Sequence, residues 1–267
     1  MDKVGLVIKA ANTFYDELQR DRNARFRSWE HCYKSFHDAR HNTVVDYDYL
    51  SLQLAFYLAS WGMYRGSSFL LQKDYKVHEP VVKELLQEQY DCLLGIKCSD
   101  LRKNDIQIEL EHLEKYMKDY YSKIRKSVKS DGVKKGLSSI LITKILMGTL
   151  GCVPAYDRFF IEGVRELKIT TGIYTKTSLL KLVDFYEGKR NHDKLEELRN
   201  RLMVRDDLKY PQMKLLDMAF WEIGFAKARI TLNEQRMKIR GMHNGRNQMY
   251  QRFIEDGPGH SRLSETL

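Results

Sequence analysis

The chain has 267 residues, 43% hydrophobic and 11% aromatic, with only four prolines and sixteen glycines, a make-up that excludes a collagen-like or largely disordered protein and removes any need for disulfides or metals as staples. Forty-five Lys and Arg against 36 Asp and Glu give a formal charge of +9, so a polyanion is the expected partner, because clustered cations release counterions from nucleic-acid phosphates. Cys32, Cys92, Cys98 and Cys152 lack zinc-site spacing, nothing before them resembles a secretory signal, and "YLSLQLAFYLASWGMY" is too short and interrupted for a membrane span, so a soluble protein of the reducing cytoplasm is expected, without cofactor or metal.

Helical periodicity runs through the sequence. "ANTFYDELQR" predicts a helix capped by Asn12 or Thr13. "YDYLSLQLAFYLASWGMYRG" is apolar nearly all round, which predicts a central helix covered on every side and ended by Gly62 and Gly66. Pro80 opens a further helix through Leu85 and Leu86. In "DIQIELEHLEKYMKDYYSKIRKSVKS" the apolar residues Ile106, Leu110, Leu113, Met117, Tyr120, Ile124 and Val128 fall on one stripe, and the opposite face is basic. "SSILITKILMGTL", "SLLKLVDFYE", "HDKLEELRNRLMV" and "YPQMKLLDMAFWEIGFAKARITL" predict further helices, and no alternation of period two persists long enough to form a sheet. The expectation is a single all-α domain over 1–253, a compact helical body with room for two helical lobes around a cleft, and a tail over 254–267 that frays.

The charge is not spread evenly. Between 115 and 144 stand Lys115, Lys118, Lys123, Arg125, Lys126, Lys129, Lys134, Lys135 and Lys144, opposed only by Asp119 and Asp131. Downstream, "TLGCVPAYDRFF" puts Pro154 at a position suited to the first helical residue, so Asp157 falls in or near the first turn, where unpaired N–H groups and the helix dipole favour a carboxylate. Within "SDGVKKGLSSILITKILMGTLG" a basic helix ends, Gly132 and Gly136 bracket a turn holding Lys134 and Lys135, and a second helix begins near Ser138.

Helix, Gly-rich basic turn, helix, loop, then aspartate at a helix start resembles the catalytic core of the helix-hairpin-helix DNA glycosylases over roughly 130–160. The resemblance implies a hairpin at Gly132 and Gly136 whose N–H groups hold a DNA phosphate, with Lys134 and Lys135 as phosphate contacts; Lys126 and Lys129, on the basic 115–144 face, are further candidates for binding DNA. It implies Asp157 as the catalytic carboxylate. "DGVKKG" stands where the family has a Leu-Pro-Gly-Val-Gly hairpin, "PAYDRFF" replaces its Val-Asp-Thr-His style signature, and no cysteine cluster for an iron–sulfur centre follows.

The carboxylate has a physical rationale. Breaking an N-glycosidic bond develops positive charge on the sugar, and a fixed, sheltered anion stabilises that transition state more than the neutral ground state. The alternative is a helix cap or an ion-pair partner of Arg158 or Arg165. Some members of the family add a lysine nucleophile that forms a Schiff base, which makes Lys144 a second catalytic candidate; its favoured reading is a lysine extending its ammonium to solvent, and hence a monofunctional enzyme. Trp61, Tyr64 and Arg65 leave a buried helix at a glycine-punctuated turn, and with Tyr156 they could line a pocket that stacks an extruded base, against the plainer reading of core aromatics. Lys214 and Asp217, spaced i, i+3 near Trp221, read as an ion pair.

Two rivals stand beside this reading. His31, His37 and His41 lack the Glu motif and fourth ligand of a zinc helix, so they read as a solvated face. Arg25 and His31 resemble the Arg-x(4–6)-His motif of the helical HEPN ribonucleases, which would act at a dimer cleft. A non-catalytic nucleic-acid-binding or adaptor protein is the third possibility. The expected function is a glycosylase-like enzyme that extrudes a damaged or modified base from duplex DNA and hydrolyses its N-glycosidic bond, leaving an abasic site.

Overall fold

The computed structural model describes residues 2–66, 68–128, 137–204 and 208–231. The chain divides into two units, Met1–Phe225 and Ala226–Leu267. In the second, residues 226–231 are described, and they are helical. The expected tail over 254–267 lies outside the described residues.

The first unit is built of α-helices and short 3-10 turns. No strand is present among the described residues, only an isolated bridge between Met203 and Lys209. No described helix is long and apolar enough to cross a membrane.

α1 (Lys3–Arg20) starts ten or eleven positions earlier than a cap at Asn12 or Thr13 would place it, because Asp2 caps it by accepting from Gly5 N–H at 2.9 Å. Its stripe Val4, Val7, Ala11, Phe14 and Leu18 is buried, and that burial extends the helix through residues of modest propensity. α2 (Ser28–Ala39) and α3 (Tyr47–Ser60) pack against each other. α3 is not covered on every side: Tyr49, Leu52 and Phe56, at steps of three and four, are exposed, while Leu50, Leu54, Tyr57 and Leu58 face the core. An apolar composition thus overstated its enclosure.

α4 (Glu79–Leu85) carries Pro80 in its first turn, as the sequence predicts. α5 (Asn104–Ser127) buries Ile106, Leu110, Leu113, Met117 and Tyr121 and turns its charged face outward. Between α3 and α5 sits buried His78, with its ring nitrogens 2.7 Å from Tyr64 Oη and 2.6 Å from Tyr121 Oη. Burial pushes the His78 pKa down to about 3.

α6 (Ser139–Thr149) begins where expected, capped by Ser138, and every residue from Leu141 to Thr149 is buried. It packs on α2, α3 and α5, and Trp29 Nε1 of α2 donates to its Met147 carbonyl at 2.9 Å. α7 (Arg158–Glu166) follows an irregular stretch, and then come α8 (Lys176–Glu187), α9 (His192–Arg199) and α10 over 212–225. α7 and α10 are in backbone contact: a Cβ at Gly163 would lie 1.9 Å from the Phe220 carbonyl oxygen, and one at Gly224 2.0 Å from that of Phe159. Only glycine permits this spacing, which seats the helix that starts at Asp157.

Candidate active site

Pro154 does not open α7. It lies in the irregular segment before it, and Asp157 is the N-cap itself, with extended backbone and its Oδ1 accepting from Phe160 N–H at 3.2 Å. The segment is pinned from two sides at Ala155: its N–H donates to Asp217 Oδ1 of α10 at 2.8 Å, and its carbonyl accepts from Thr143 Oγ1 of α6 at 2.9 Å. Tyr156 then takes a left-handed backbone conformation, φ +36°, unusual for a residue with a side chain. The kink turns the chain so that Asp157 faces α6.

Opposite it stands Lys144, whose side chain is 4% exposed. It does not reach out to solvent. Its Nζ lies 3.3 Å from Asp157 Oδ2 and donates to the Trp61 carbonyl at 2.7 Å. The physical reason is that α6 is enclosed on all faces, so a lysine in it has no path to water and takes a carboxylate and a carbonyl as partners. Burial pulls the Lys144 pKa below the usual lysine range, Asp157 and Asp217 pull it back up, and Arg65 pushes it further down.

The pair opens onto a cleft of about 510 Å³. Trp61, Phe159 and Trp221 form an aromatic wall, with ring centres 5.8 Å apart for Trp61 and Trp221 and 5.4 Å for Phe159 and Trp221. Arg25, Arg65, Arg125 and Arg158 line it together with Lys144, and Asp157 is the only acidic side chain among its described lining residues. Arg65 fits because Gly62, at φ +78°, has no Cβ; one there would come within 2.9 Å of Arg65 Nε.

Of the residues singled out in the sequence, Lys144, Asp157, Trp61 and Arg65 converge on the cleft. Tyr64 and Tyr156 do not. Tyr64 turns to His78, and Tyr156 is buried with its hydroxyl 3.0 Å from Ser178 Oγ and its ring against Phe160 and Tyr174. Tyr64 is half-buried and Tyr156 buried, both hydroxyls find partners inside the protein, and neither ring lines the cleft.

Lys126 is exposed in the last turn of α5. Gly132, Lys134, Lys135, Gly136 and Lys129 lie outside the described residues. Arg25 lines the cleft while His31 does not. His37 and His41 have ring centres 4.8 Å apart, and no group of three or more His, Cys, Asp or Glu is gathered for a metal among the described residues.

Sequence reasoning missed Arg125, Arg158 and Phe159 as cleft residues. The last two directly follow Asp157, and an N-cap facing a cleft brings its first-turn neighbours with it. Lys214 and Asp217 do form their ion pair, Nζ to Oδ2 2.9 Å, but both are buried, at 3% and 5% side-chain exposure.

A carboxylate and an amine of lowered pKa, side by side in a cation-rimmed aromatic cleft, can together stabilise a developing positive charge and supply a nucleophile beside it. No protein-family model, curated protein or solved structure matches the chain.

Proposed function

We propose that the protein is a DNA glycosylase-like enzyme that draws a damaged or modified nucleotide out of the duplex into this cleft and releases its base. The observation that carries the reading is the placement of Lys144 Nζ 3.3 Å from Asp157 Oδ2 at the cleft. The order α5, connection, α6, loop, Asp157 at the start of α7 agrees with the helix-hairpin-helix resemblance. The four arginines suit the phosphates of a strand, and the aromatic wall suits the face of a flipped base.

The burial of Lys144 moves the reading from water to the amine as nucleophile. As the C1′–N bond lengthens, its electron pair leaves with the base, and Lys144 delivers a proton to that base. The Asp157 carboxylate stabilises the cationic sugar meanwhile. The freed amine lone pair then bonds to C1′, and loss of a further proton with ring opening yields an imine. Attack by water on the same cation gives the simple abasic product.

The test is incubation with duplexes carrying a panel of modified bases, scored for free base and, after borohydride reduction, for a covalent protein–DNA product. Base release and a reduced adduct that Lys144→Gln abolishes are expected. No release from any duplex, cleavage of RNA instead, or salt-sensitive binding without product defeats the proposal. Release without a reducible adduct refutes the amine step.

A further inference from the structure

Behind the cleft, α10 buries two opposite charges one turn apart, Lys214 and Asp217. A buried ion pair is a poor stabiliser, since hydrophobic side chains of similar volume would fill the same space without the desolvation cost. Each member, however, touches the chain that presents one half of the Lys144–Asp157 pair. Asp217 accepts from Ala155 N–H, two residues before Asp157, at the base of the left-handed turn at Tyr156. Lys214 Nζ sits among three rings, 4.8 Å from the centre of Trp29, 5.3 Å from Trp61 and 5.6 Å from Phe14. Trp61 is the residue whose carbonyl holds Lys144. One helix turn thus reaches both partners by separate routes.

We propose that Lys214 and Asp217 are positioning residues: Asp217 pins the 155–157 segment that aims Asp157, and Lys214 fixes the Trp61 platform whose carbonyl aims Lys144. The proposal takes the reading of Lys144 and Asp157 as the reacting pair as its premise. Asp217 also acts on Lys144 through space, pulling its pKa up. The other charged or titratable groups around Lys144 are Asp157 at the start of α7, Arg65 in the turn after α3, Arg25, Arg125 and Arg158 lining the same cleft, Lys214 behind Trp61, and the buried phenol of Tyr57, which interacts with both Asp157 and Asp217.

Three variants separate charge from tethering. Asp217→Asn keeps an oxygen for Ala155 N–H but removes the charge; Lys214→Met combined with Asp217→Asn does the same without stranding a buried cation; Asp217→Leu removes both charge and tether. Lys144 is titrated by side-chain 15N NMR in the substrate-free protein, and kcat and KM are measured on the best duplex substrate. In the double variant the Lys144 midpoint moves to lower pH and the fall of the rate at high pH, where the amine no longer carries the proton it gives to the base, moves with it, while in Asp217→Leu kcat falls about 100-fold at little-changed KM, the scale of a 1 Å misplacement. Asp217→Asn retains more kcat than Asp217→Leu. Lowered melting temperatures with the Lys144 titration and kcat unchanged would mark a purely structural pair and overturn the proposal. A shifted titration in a protein that releases no base from any duplex would sustain the coupling and defeat the glycosylase reading instead.

Discussion

Gly163→Ala tests how tightly the helix bearing Asp157 is seated. The added methyl would stand 1.9 Å from the Phe220 carbonyl oxygen, so α7 and α10 must separate by about 1.5 Å to restore ordinary van der Waals distance. Two effects oppose. Alanine in a helix is favoured over glycine by about 1 kcal/mol, while overpacking a core costs about 1–3 kcal/mol. The upper end applies because the obstacle is backbone, which cannot rotate aside. The net loss is then about 2 kcal/mol, a fall in melting temperature of roughly 4–8 °C for a chain of this size. Urea and thermal unfolding followed by circular dichroism measure it. A melting temperature equal to or above the parent's would mean that helix propensity wins, and that the close crossing of α7 on α10 is not what holds Asp157 in place.

Asp157→Asn should fold nearly normally, because asparagine caps a helix as well as aspartate and the buried Lys144 amine, losing a neighbour that raises its pKa, has its pKa lowered further, which eases the cost of burying it without that partner. Base release by that variant should fall about 10²–10³-fold, measured as free base per hour; retained activity removes the carboxylate from the chemistry. Changing Arg25, Arg65 or Arg158 to Gln should weaken duplex binding across all sequences and reduce the slope of log affinity against log salt by about one for each arginine replaced; an unchanged slope would take that residue off the phosphate path. His78 is held neutral, with its pKa depressed from an ordinary 6.5 to about 3, so the unfolded chain binds the extra proton. Stability from this site is full above pH 6.5 and is lost as pH falls toward 3, by up to roughly 1.4 kcal/mol per pH unit. His78→Gln should be less stable at neutral pH and flatter across that acid range, and an equally steep acid limb would locate the sensitivity elsewhere.

The helices were legible wherever a stripe met a single partner face. On α5 the steps Ile106, Leu110, Leu113 and Met117 report burial directly, because one face is packed and the other is wet. On α6 the same logic misleads: its enclosure comes from α2, α3 and α5 together, so Lys144, on the border of the local apolar stripe, is sealed by residues distant in sequence. Asp157 was legible because an N-cap is a local event. Its pairing with Lys144 was not, since it depends on the turn at Tyr156 and on the hydrogen bonds that Ala155 accepts from Thr143 and donates to Asp217, 12 and 62 residues away. Tyr64 illustrates the converse. An aromatic ring beside glycines looks available from its neighbours alone, yet its partner His78 is itself tied to Tyr121 on another helix.

The left-handed residue ahead of Asp157 has a consequence for how this sequence could drift. Comfort of the main chain alone would select glycine at 156, relieving about 1–3 kcal/mol of conformational tension. Glycine would also delete the phenol that ties the loop to Ser178 and the ring packed on Phe160 and Tyr174. Local preference and long-range anchorage are therefore in conflict at one position, and the protein settles the conflict for the anchor. Such frustration beside a reacting group leaves the molecule less stable than its backbone permits, in exchange for a carboxylate that cannot wander.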